Sequence, residues 1–111
     1  MEKFVRGEVV VVPFPFSDLT TAKRRPALVL AGLERDDLIL CQITSQAIKD
    51  QYAIPLQDHD FSEGALKQPS QVRPNRLFTA DSQIVLYRVG ILKETKLTEI
   101  IEKLVKIIRG N

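Results

Sequence analysis

Short apolar runs rich in β-branched residues follow one another along the first half of the chain, and polar segments separate them. The run Glu8–Phe14, EVVVVPF, is apolar on both of its faces, which is typical of a strand buried on both sides. Residues 27–31 and 38–44 repeat the pattern, and residues 32–37 form a polar turn between them. The pattern predicts three strands that pair as a meander.

Weaker strand signals follow in the middle of the chain. These candidate strands are residues 52–56, 70–73, 77–79 and 84–91. Residues 57–64, QDHDFSEG, are predicted to be a loop, and Asp81 is a candidate cap of a helical turn. Because Pro13 and Pro15 have no backbone N–H to donate to a sheet, residues 16–24 are predicted to form an exposed loop.

The C-terminal segment has the periodicity of an amphipathic helix over residues 95–109. Its apolar face consists of Leu97, Ile100, Ile101, Leu104, Val105 and Ile108. Glu99 and Glu102 precede Lys103 and Lys106 by four residues, which is a favourable order for ion pairs, and Gly110 is a typical helix stop. The apolar face is expected mostly to pack on the sheet. The chain is therefore predicted to be mainly β with α, as a small, strongly curved sheet or barrel with a C-terminal amphipathic helix against it.

Length and composition indicate a single domain over residues 1–111. Hydrophobic residues make up 44% of the chain and charged residues 27%, which are ordinary globular values. The apolar runs are too short to span a bilayer, and the charged N-terminus MEKFVRGE is unlike a signal peptide, so we expect a cytoplasmic protein with no membrane partner. Cys41 lies in an apolar run and is expected to be a small buried hydrophobe.

The residue inventory argues against several kinds of active site. A single histidine, His59, cannot supply a two-histidine acid–base pair or a histidine-rich metal site, and its position between Asp58 and Asp60 indicates a solvated loop more than a metal ligand. The sequence has no Gly-x-Ser-x-Gly elbow, and its five glycines are too scattered for a phosphate-binding loop. We therefore expect no metal and no other cofactor.

Basic and hydroxyl side chains are the remaining candidates. In KRRPALVL, Pro26 favours an extended backbone at the residue before it, so Arg25 is expected to be held in one direction at the start of a strand. The alternative is that Lys23, Arg24 and Arg25 form a merely solvated basic loop. Further along the chain stand Thr44, Ser45, Gln46, Arg73 and Arg76. Guanidinium groups bind phosphate with two hydrogen bonds, and hydroxyl and amide groups add directed ones.

Several motifs occur along residues 5–92 in a specific order. They are GEVVVVPFPF, a polar loop, RRPALVL, an apolar strand ending in ITSQ, and QVRPNRLFTAD followed by RVGIL. In this order the chain resembles the MazF/PemK family of toxins from type II toxin–antitoxin systems. The resemblance implies an SH3-like barrel that forms a homodimer and cleaves single-stranded RNA, with messenger RNA as the favoured class, without a metal. It also implies a cognate antitoxin, whose blocking segment we expect to be acidic and disordered until bound.

The resemblance also assigns roles to individual residues. The family's catalytic arginine and threonine fall on Arg25 and Thr44. The first loop, SDLTTAKR, departs from many relatives and has Asp18 as its only acid, and Phe78 stands where some relatives have an arginine. Because that arginine is missing here, either Arg73 or Arg76 is a candidate to contact the RNA backbone. The full set of candidate RNA-binding residues is Asp18, Lys23, Arg24, Ser45, Gln46, Arg73 and Arg76.

Such a reaction fits the chemistry of these two side chains. In metal-free cleavage the neighbouring 2′-hydroxyl attacks the phosphate and leaves 2′,3′-cyclic phosphate and 5′-hydroxyl ends, so the protein has to orient it, move protons and stabilise charge. Because arginine keeps its proton at neutral pH, charge stabilisation is the first role of Arg25. Thr44 is a candidate hydrogen-bond partner of a phosphate oxygen or of the nucleophile. The alternative is a strand-end hydroxyl satisfied by the backbone.

Two other functions stay open at the level of the sequence. One is a non-enzymatic toxin of the same architecture that binds a protein such as DNA gyrase, and the presence of both Arg25 and Thr44 argues against it. The other is a general nucleic-acid-binding SH3-like barrel, for which basic loops suffice. The aromatic residues are scattered along the sequence and do not form an evident base-stacking platform, which argues against this second function.

Overall fold

The computed structural model describes residues 4–14 and 23–110, which form an antiparallel sheet of seven strands and a C-terminal helix. The strands are β1 (Glu8–Phe14), β2 (Lys23–Gly32), β3 (Asp37–Thr44), β4 (Ile54–Leu56), β5 (Phe61–Gly64), β6 (Ser70–Asp81) and β7 (Tyr87–Leu92). The helix α1 is Glu94–Arg109, and two short 3₁₀ turns span Asp58–Asp60 and Ser82–Ile84.

The strand order in the sheet is β4-β6-β3-β2-β1-β7-β5, and all neighbouring strands are antiparallel. The predicted meander of β1, β2 and β3 is therefore confirmed. Register shifts interrupt the β1–β7, β2–β3 and β3–β6 pairings. Because an extra residue bends a strand and increases its twist, these irregularities curl the sheet into a half-barrel. The predicted fold, a strongly curved sheet with one terminal helix, is confirmed.

The sheet buries apolar side chains on both of its faces. The alternation of side chains along β1 places Val9 in one core cluster and Val10 and Val12 in another. All three are almost fully buried, as predicted for a strand covered on both sides. Leu97 and Ile100 of α1 belong to the same cluster as Val9, so the helix covers that face of the sheet.

Cys41 lies inside this core, as predicted from the apolar run around it. Its side chain is fully buried on β3, and desolvation raises the pKa of the thiol to about 12. The thiol is therefore neutral at physiological pH and acts as a small hydrophobe, because the thiolate is the reactive form of cysteine.

Helix α1 agrees with its predicted bounds to within one residue, and its apolar face packs on the sheet from Leu97 to Leu104. It ends at Gly110, whose φ of 79° is in the left-handed region that glycine adopts without strain. Val105 and Ile108 in the second half are exposed, so the apolar face extends beyond the core. Glu99 pairs with Lys96 at 3.1 Å and not with Lys103 as the sequence spacing suggested. In the part of the chain that the structure describes, no helix is long and apolar enough to cross a membrane.

Some predicted element bounds are wrong. The predicted loop 57–64 contains β5, because the buried Phe61 joins the core and β5 pairs with the edge of β7. Residues 70–73 and 77–79 belong to one strand, β6, and the predicted strand 84–91 begins later, at Tyr87. The predicted loop 16–24 is wrong at its end, since β2 begins at Lys23. The rest of that predicted loop, residues 16–22, lies outside the described residues. Asp81 caps the turn Ser82–Ile84 by accepting the backbone N–H of Gln83, as predicted.

Candidate active site

The candidate site lies where β2 and β3 separate. Residues 23–26 of β2 pair only with β1, and the pairing of β2 with β3 begins at Ala27, which lies opposite Gln42. All of β3 pairs with β6 on its other side, and Ile43 and Thr44 beyond that point have no partner on β2. Pro26 stands at the divergence and has no backbone N–H to offer to a neighbouring strand. The gap between the start of β2 and the end of β3 is therefore open to solvent.

A pocket of about 340 Å³ occupies this gap, and we call it the strand-end pocket. Its walls come from β1, β2, β3, β6 and the segment after β3. The lining residues are Phe14, Lys23, Arg25, Gln42, Ile43, Thr44, Gln46, Ile48 and Arg73. Three cations, a hydroxyl and two amides thus face one small cavity. This combination suits a ligand that carries phosphate together with hydrogen-bonding groups.

Arg25 and Lys23 enter the pocket because they lie two residues apart on one strand. Side chains alternate along β2, so Lys23 and Arg25 share the face that lines the pocket, while Arg24 between them does not line it. Arg25 lies opposite Val12 of β1 and is half-buried, so its backbone is extended and paired, as Pro26 predicted. Among the described residues, no carboxylate forms an ion pair with Lys23 or Arg25. Within the described part of the chain, both charges therefore remain available to an anion.

Thr44 ends β3 at the opposite wall of the pocket. Its Oγ1 accepts a hydrogen bond from the backbone N–H of Gln46 at 3.1 Å. The sequence left open that the hydroxyl of Thr44 is satisfied by the backbone, and this contact is present. Thr44 nevertheless also lines the pocket. Since the contact uses a lone pair of the oxygen, the hydroxyl hydrogen can still be donated to a ligand. The contact also orients the hydroxyl.

Arg73 reaches the pocket from β6 and is held there by Asp50. Its Nε donates to Asp50 Oδ2 at 3.1 Å, and its Nη2 lies 3.0 Å from the same oxygen. The backbone N–H of Tyr52 is the main cause that lowers the pKa of Asp50, and the guanidinium of Arg73 lowers it further. Asp50 is thus an anion at neutral pH and partly neutralises Arg73. Lys23 and Arg25 are the cations of the pocket without such a partner among the described residues.

Comparison with family models gives a match over residues 5–108 to the PemK-like, MazF-like toxins of type II toxin–antitoxin systems. The match covers almost the whole chain. The chain belongs to this family. The resemblance inferred from the motif order is therefore confirmed, and the chain is the toxin component of a type II toxin–antitoxin system. Comparison with curated protein sequences found no match.

Solved structures agree with the fold of this toxin. MazF (Form-I) from Deinococcus radiodurans is 21% identical and superposes with a TM-score of 0.76, over 97% of this chain and 98% of that chain. A MazE-MazF complex (Form-II) from the same organism is 20% identical, with a TM-score of 0.73 and 97% of each chain covered. A mycobacterial endoribonuclease in complex with its cognate antitoxin is 12% identical, with a TM-score of 0.75 and coverages of 96% and 95%.

The structure brings some of the predicted site residues of the toxin together and separates others. Arg25, Thr44, Lys23, Gln46 and Arg73 all line the strand-end pocket. The predicted residues that do not line it are Arg24, Ser45 and Arg76. Asp18 lies outside the described residues.

Arg76 is kept out of the pocket by an irregularity in β6. Gln42 of β3 lies opposite Arg73, but the preceding Cys41 lies opposite Leu77. Residues 74–76 are therefore extra residues without a partner on β3, and Arg76 in this bulge is exposed. Of the two arginines that the sequence offered for the RNA backbone, Arg73 is the one on the pocket wall.

The sequence did not indicate every residue of the toxin's pocket. The lining residues that were not among the candidates are Phe14, Gln42, Ile43 and Ile48. Gln42 could have been found, because it lies two residues before Thr44 and so shares its face of the strand. Phe14 lies in the pocket wall, and its ring centroid is 5.6 Å from that of Phe78. The aromatic residues that are scattered in the sequence are thus partly gathered beside the site.

Two larger cavities lie elsewhere in the described part of the toxin. One, of about 510 Å³, has three acidic residues, Glu34, Asp36 and Asp37, and a single arginine in its wall, and the other, of about 490 Å³, lies beside His59 and has one aspartate and one lysine. His59 is exposed on a 3₁₀ turn, 3.5 Å from Asp60, as expected for a solvated histidine. Among residues 4–14 and 23–110, no group of three or more His, Cys, Asp or Glu side chains is placed to hold a metal ion.

Proposed function

We propose that the toxin is an endoribonuclease that cuts single-stranded RNA, with messenger RNA as its main substrate, at specific short sequences in the cytoplasm. The observation that carries the proposal is the strand-end pocket, which is lined by Lys23, Arg25 and Arg73 together with Thr44. Family membership and the likeness of the fold to structures named as endoribonucleases support the same activity. Inhibition of translation and growth follows from such an activity.

The pocket residues can divide the work of a metal-free cleavage. The 2′-hydroxyl next to the scissile phosphate loses its proton as its oxygen attacks the phosphorus, the bond to the 5′-oxygen breaks, and that leaving oxygen takes up a proton, so that no net proton is consumed. Negative charge builds on the non-bridging oxygens, and the guanidinium of Arg25, which lines the pocket from a strand paired with β1, stabilises that charge. Thr44 donates its hydroxyl hydrogen to one of those oxygens. Lys23 and Arg73 hold adjoining phosphates.

Selection of the RNA sequence falls to the neutral groups of the pocket. Amide side chains can donate and accept hydrogen bonds at the same time, so Gln42 and Gln46 can read the edges of an unpaired base. Phe14 adds an aromatic ring in the wall, which offers a surface for a base. Unpaired bases are accessible on these edges and faces, whereas duplex RNA hides them. We therefore expect single-stranded RNA to be the substrate.

Cleavage is expected to continue in excess EDTA, because the proposed steps use only side chains of the chain itself. The purified toxin is incubated with a long unstructured RNA and EDTA, and both ends of every cut are mapped. We expect cuts at one short sequence, with 2′,3′-cyclic phosphate and 5′-hydroxyl ends. Activity that disappears with EDTA and returns with magnesium would contradict the mechanism. An RNA that stays intact under all conditions would favour the protein-binding toxin.

We propose two protein partners, a second copy of the chain and an acidic antitoxin segment. A pocket of about 340 Å³ is small for a substrate of several nucleotides, and a two-fold dimer would double the basic contacts along it. Light scattering is expected to give twice the 12.6 kDa of one chain.

An acidic antitoxin peptide should compete with RNA for the cations Lys23 and Arg25, and its affinity should fall as salt rises. A monomeric active species, or salt-independent peptide binding, would contradict this arrangement.

A further inference from the structure

The ion pair of Asp50 with Arg73 is well shielded from water. The two side chains are 8% and 19% exposed, whereas Arg88 and Glu63, which form another pair, are 41% and 69% exposed. Exposed pairs contribute little because water screens them and both side chains remain mobile. A pair shielded from water fixes the geometry of both groups more firmly. The Arg73 guanidinium is therefore held in one place beside the strand-end pocket.

The contact uses only one edge of the guanidinium. Asp50 Oδ2 receives the Nε–H of Arg73 and lies 3.0 Å from its Nη2. An arginine carries five N–H groups in a planar fork, so the other edge keeps donors that this contact does not use. Because Arg73 also lines the pocket, this second edge is available to a ligand there.

The two carboxylate oxygens of Asp50 have different partners. Oδ1 accepts the backbone N–H of Tyr52 at 2.9 Å, and the backbone carbonyl of Asp50 accepts the N–H of Ala53 at 3.1 Å. These contacts form a turn after the segment that carries Gln46 and Ile48 into the pocket wall. Oδ2 accepts from Arg73, and the side chain of Asn75 also forms a hydrogen bond with the Asp50 carboxylate. Asp50 thus joins this segment to β6, although it does not line the pocket itself.

We propose that Asp50 is a positioning residue for RNA binding, which acts through Arg73. By holding one edge of the guanidinium, it presents the other edge to a phosphate of the RNA, and it reduces the side-chain freedom that Arg73 would lose on binding. Asp50 also offsets part of the positive charge of Arg73, which by itself would weaken the attraction to a phosphate. Its favourable effect on RNA binding therefore comes from the direction in which it holds the guanidinium. The inference rests on the proposed function, because the ligand it invokes is RNA in the strand-end pocket.

The substitution Asp50→Asn separates positioning from a general structural role. An amide keeps one oxygen to accept the Tyr52 N–H, so the turn can remain. Its NH₂ group takes the place of the second acceptor and cannot receive the Nε–H of Arg73. The variant therefore removes the hold on Arg73 with little change in shape. Glu99→Gln is the matched control, because it also removes one negative charge from an ion pair, on the exposed face of α1.

The test is a double-mutant cycle on RNA affinity, read by fluorescence anisotropy with an RNA that lacks the attacking 2′-hydroxyl. We expect Asp50→Asn and Arg73→Ala each to weaken binding about tenfold, and the double variant to bind no more weakly than Arg73→Ala alone. Arg73→Lys should resemble Asp50→Asn, since an ammonium lacks the fork. Glu99→Gln should bind like the wild type. Asp50→Asn should stay folded at the assay temperature, although its melting temperature should fall because Arg73 loses the carboxylate of a shielded pair. Its cleavage rate at saturating RNA should change by less than about threefold.

Each outcome of this cycle decides a distinct claim. Full additivity of Asp50→Asn and Arg73→Ala would show that Asp50 does not act through Arg73 and would overturn the inference. Unchanged binding by Asp50→Asn, with normal binding by the wild type, would do the same while leaving the proposed function intact. Failure of the wild-type toxin to bind the RNA would overturn the proposed function, and the inference with it.

Discussion

Replacement of Arg25 by alanine is expected to lower the rate of RNA cleavage at saturating RNA by a factor of about 100 or more, which corresponds to about 2.7 kcal/mol of lost transition-state stabilisation. Arg25 is half-buried on a paired strand and has no carboxylate partner among the described residues, so its charge is directed into the strand-end pocket. The effect should fall on the chemical step, because a preorganised donor acts where charge develops. Single-turnover kinetics at saturating RNA measure it directly.

The neighbours of Arg25 supply matched controls. Lys23→Ala should weaken RNA affinity with little change in the rate at saturation, because Lys23 lines the outer part of the same strand face. Arg24→Ala should change affinity less than Lys23→Ala, since Arg24 does not line the pocket. Arg25→Lys should restore little activity, because a point charge on a flexible stem does not replace the planar fork. Equal losses of affinity for all three alanine variants, with unchanged rates, would mean that the basic stretch is only a solvated charge.

Replacement of Thr44 by valine is expected to slow cleavage at saturating RNA by about 10- to 100-fold. Valine keeps the shape of threonine and removes the hydroxyl, so the phosphate loses one donor. The Gln46 N–H also loses its acceptor, but this contact is exposed and water can replace it. The fold should therefore be retained, and circular dichroism with thermal melting checks this. Single-turnover cleavage by the folded variant measures the loss.

Thr44→Ser is the control for the hydroxyl itself. Serine keeps the oxygen that accepts from Gln46 N–H and keeps the hydrogen that we assign to the phosphate. Its rate should stay within about threefold of the wild type, because only a methyl group is lost. If Thr44→Ser were as slow as Thr44→Val, the methyl group and not the hydroxyl would matter, and the assigned role would be wrong.

The elements with strong periodicity were the ones that the sequence could predict. β1 and α1 have local patterns, a valine run and a repeating apolar face, that predict their secondary structure and the face that meets the core, although Val105 and Ile108 at the end of the helix face are exposed. β5 was missed because its four residues, FSEG, contain one buried side chain, Phe61, and its pairing with β7 depends on distant residues. Propensity is a weak guide at such an edge, where tertiary contacts decide the conformation.

The candidate site was predictable to the extent that it depends on order along the chain. Arg25 and Thr44 occur in motifs whose spacing is visible in the sequence, and the structure places both on one pocket. That Lys23 lines the pocket and Arg24 does not follows from the alternation of side chains along a strand, once β2 is known to begin at Lys23. The choice of Arg73 over Arg76 depends on the bulge in β6, and the role of Asp50 depends on a contact 23 residues away in sequence. Neither has a local signal.

The most direct test of the account is to locate the RNA on the toxin. The measurement is the change in NMR chemical shifts of the backbone amides when an uncleavable RNA, with 2′-deoxyribose at the scissile position, is added. The account predicts that the largest changes cluster at Arg25, Gln42, Thr44, Gln46 and Arg73, around the divergence of β2 and β3. Changes that cluster instead at residues 33–37, beside the larger acidic cavity, or on the exposed end of α1 would contradict it.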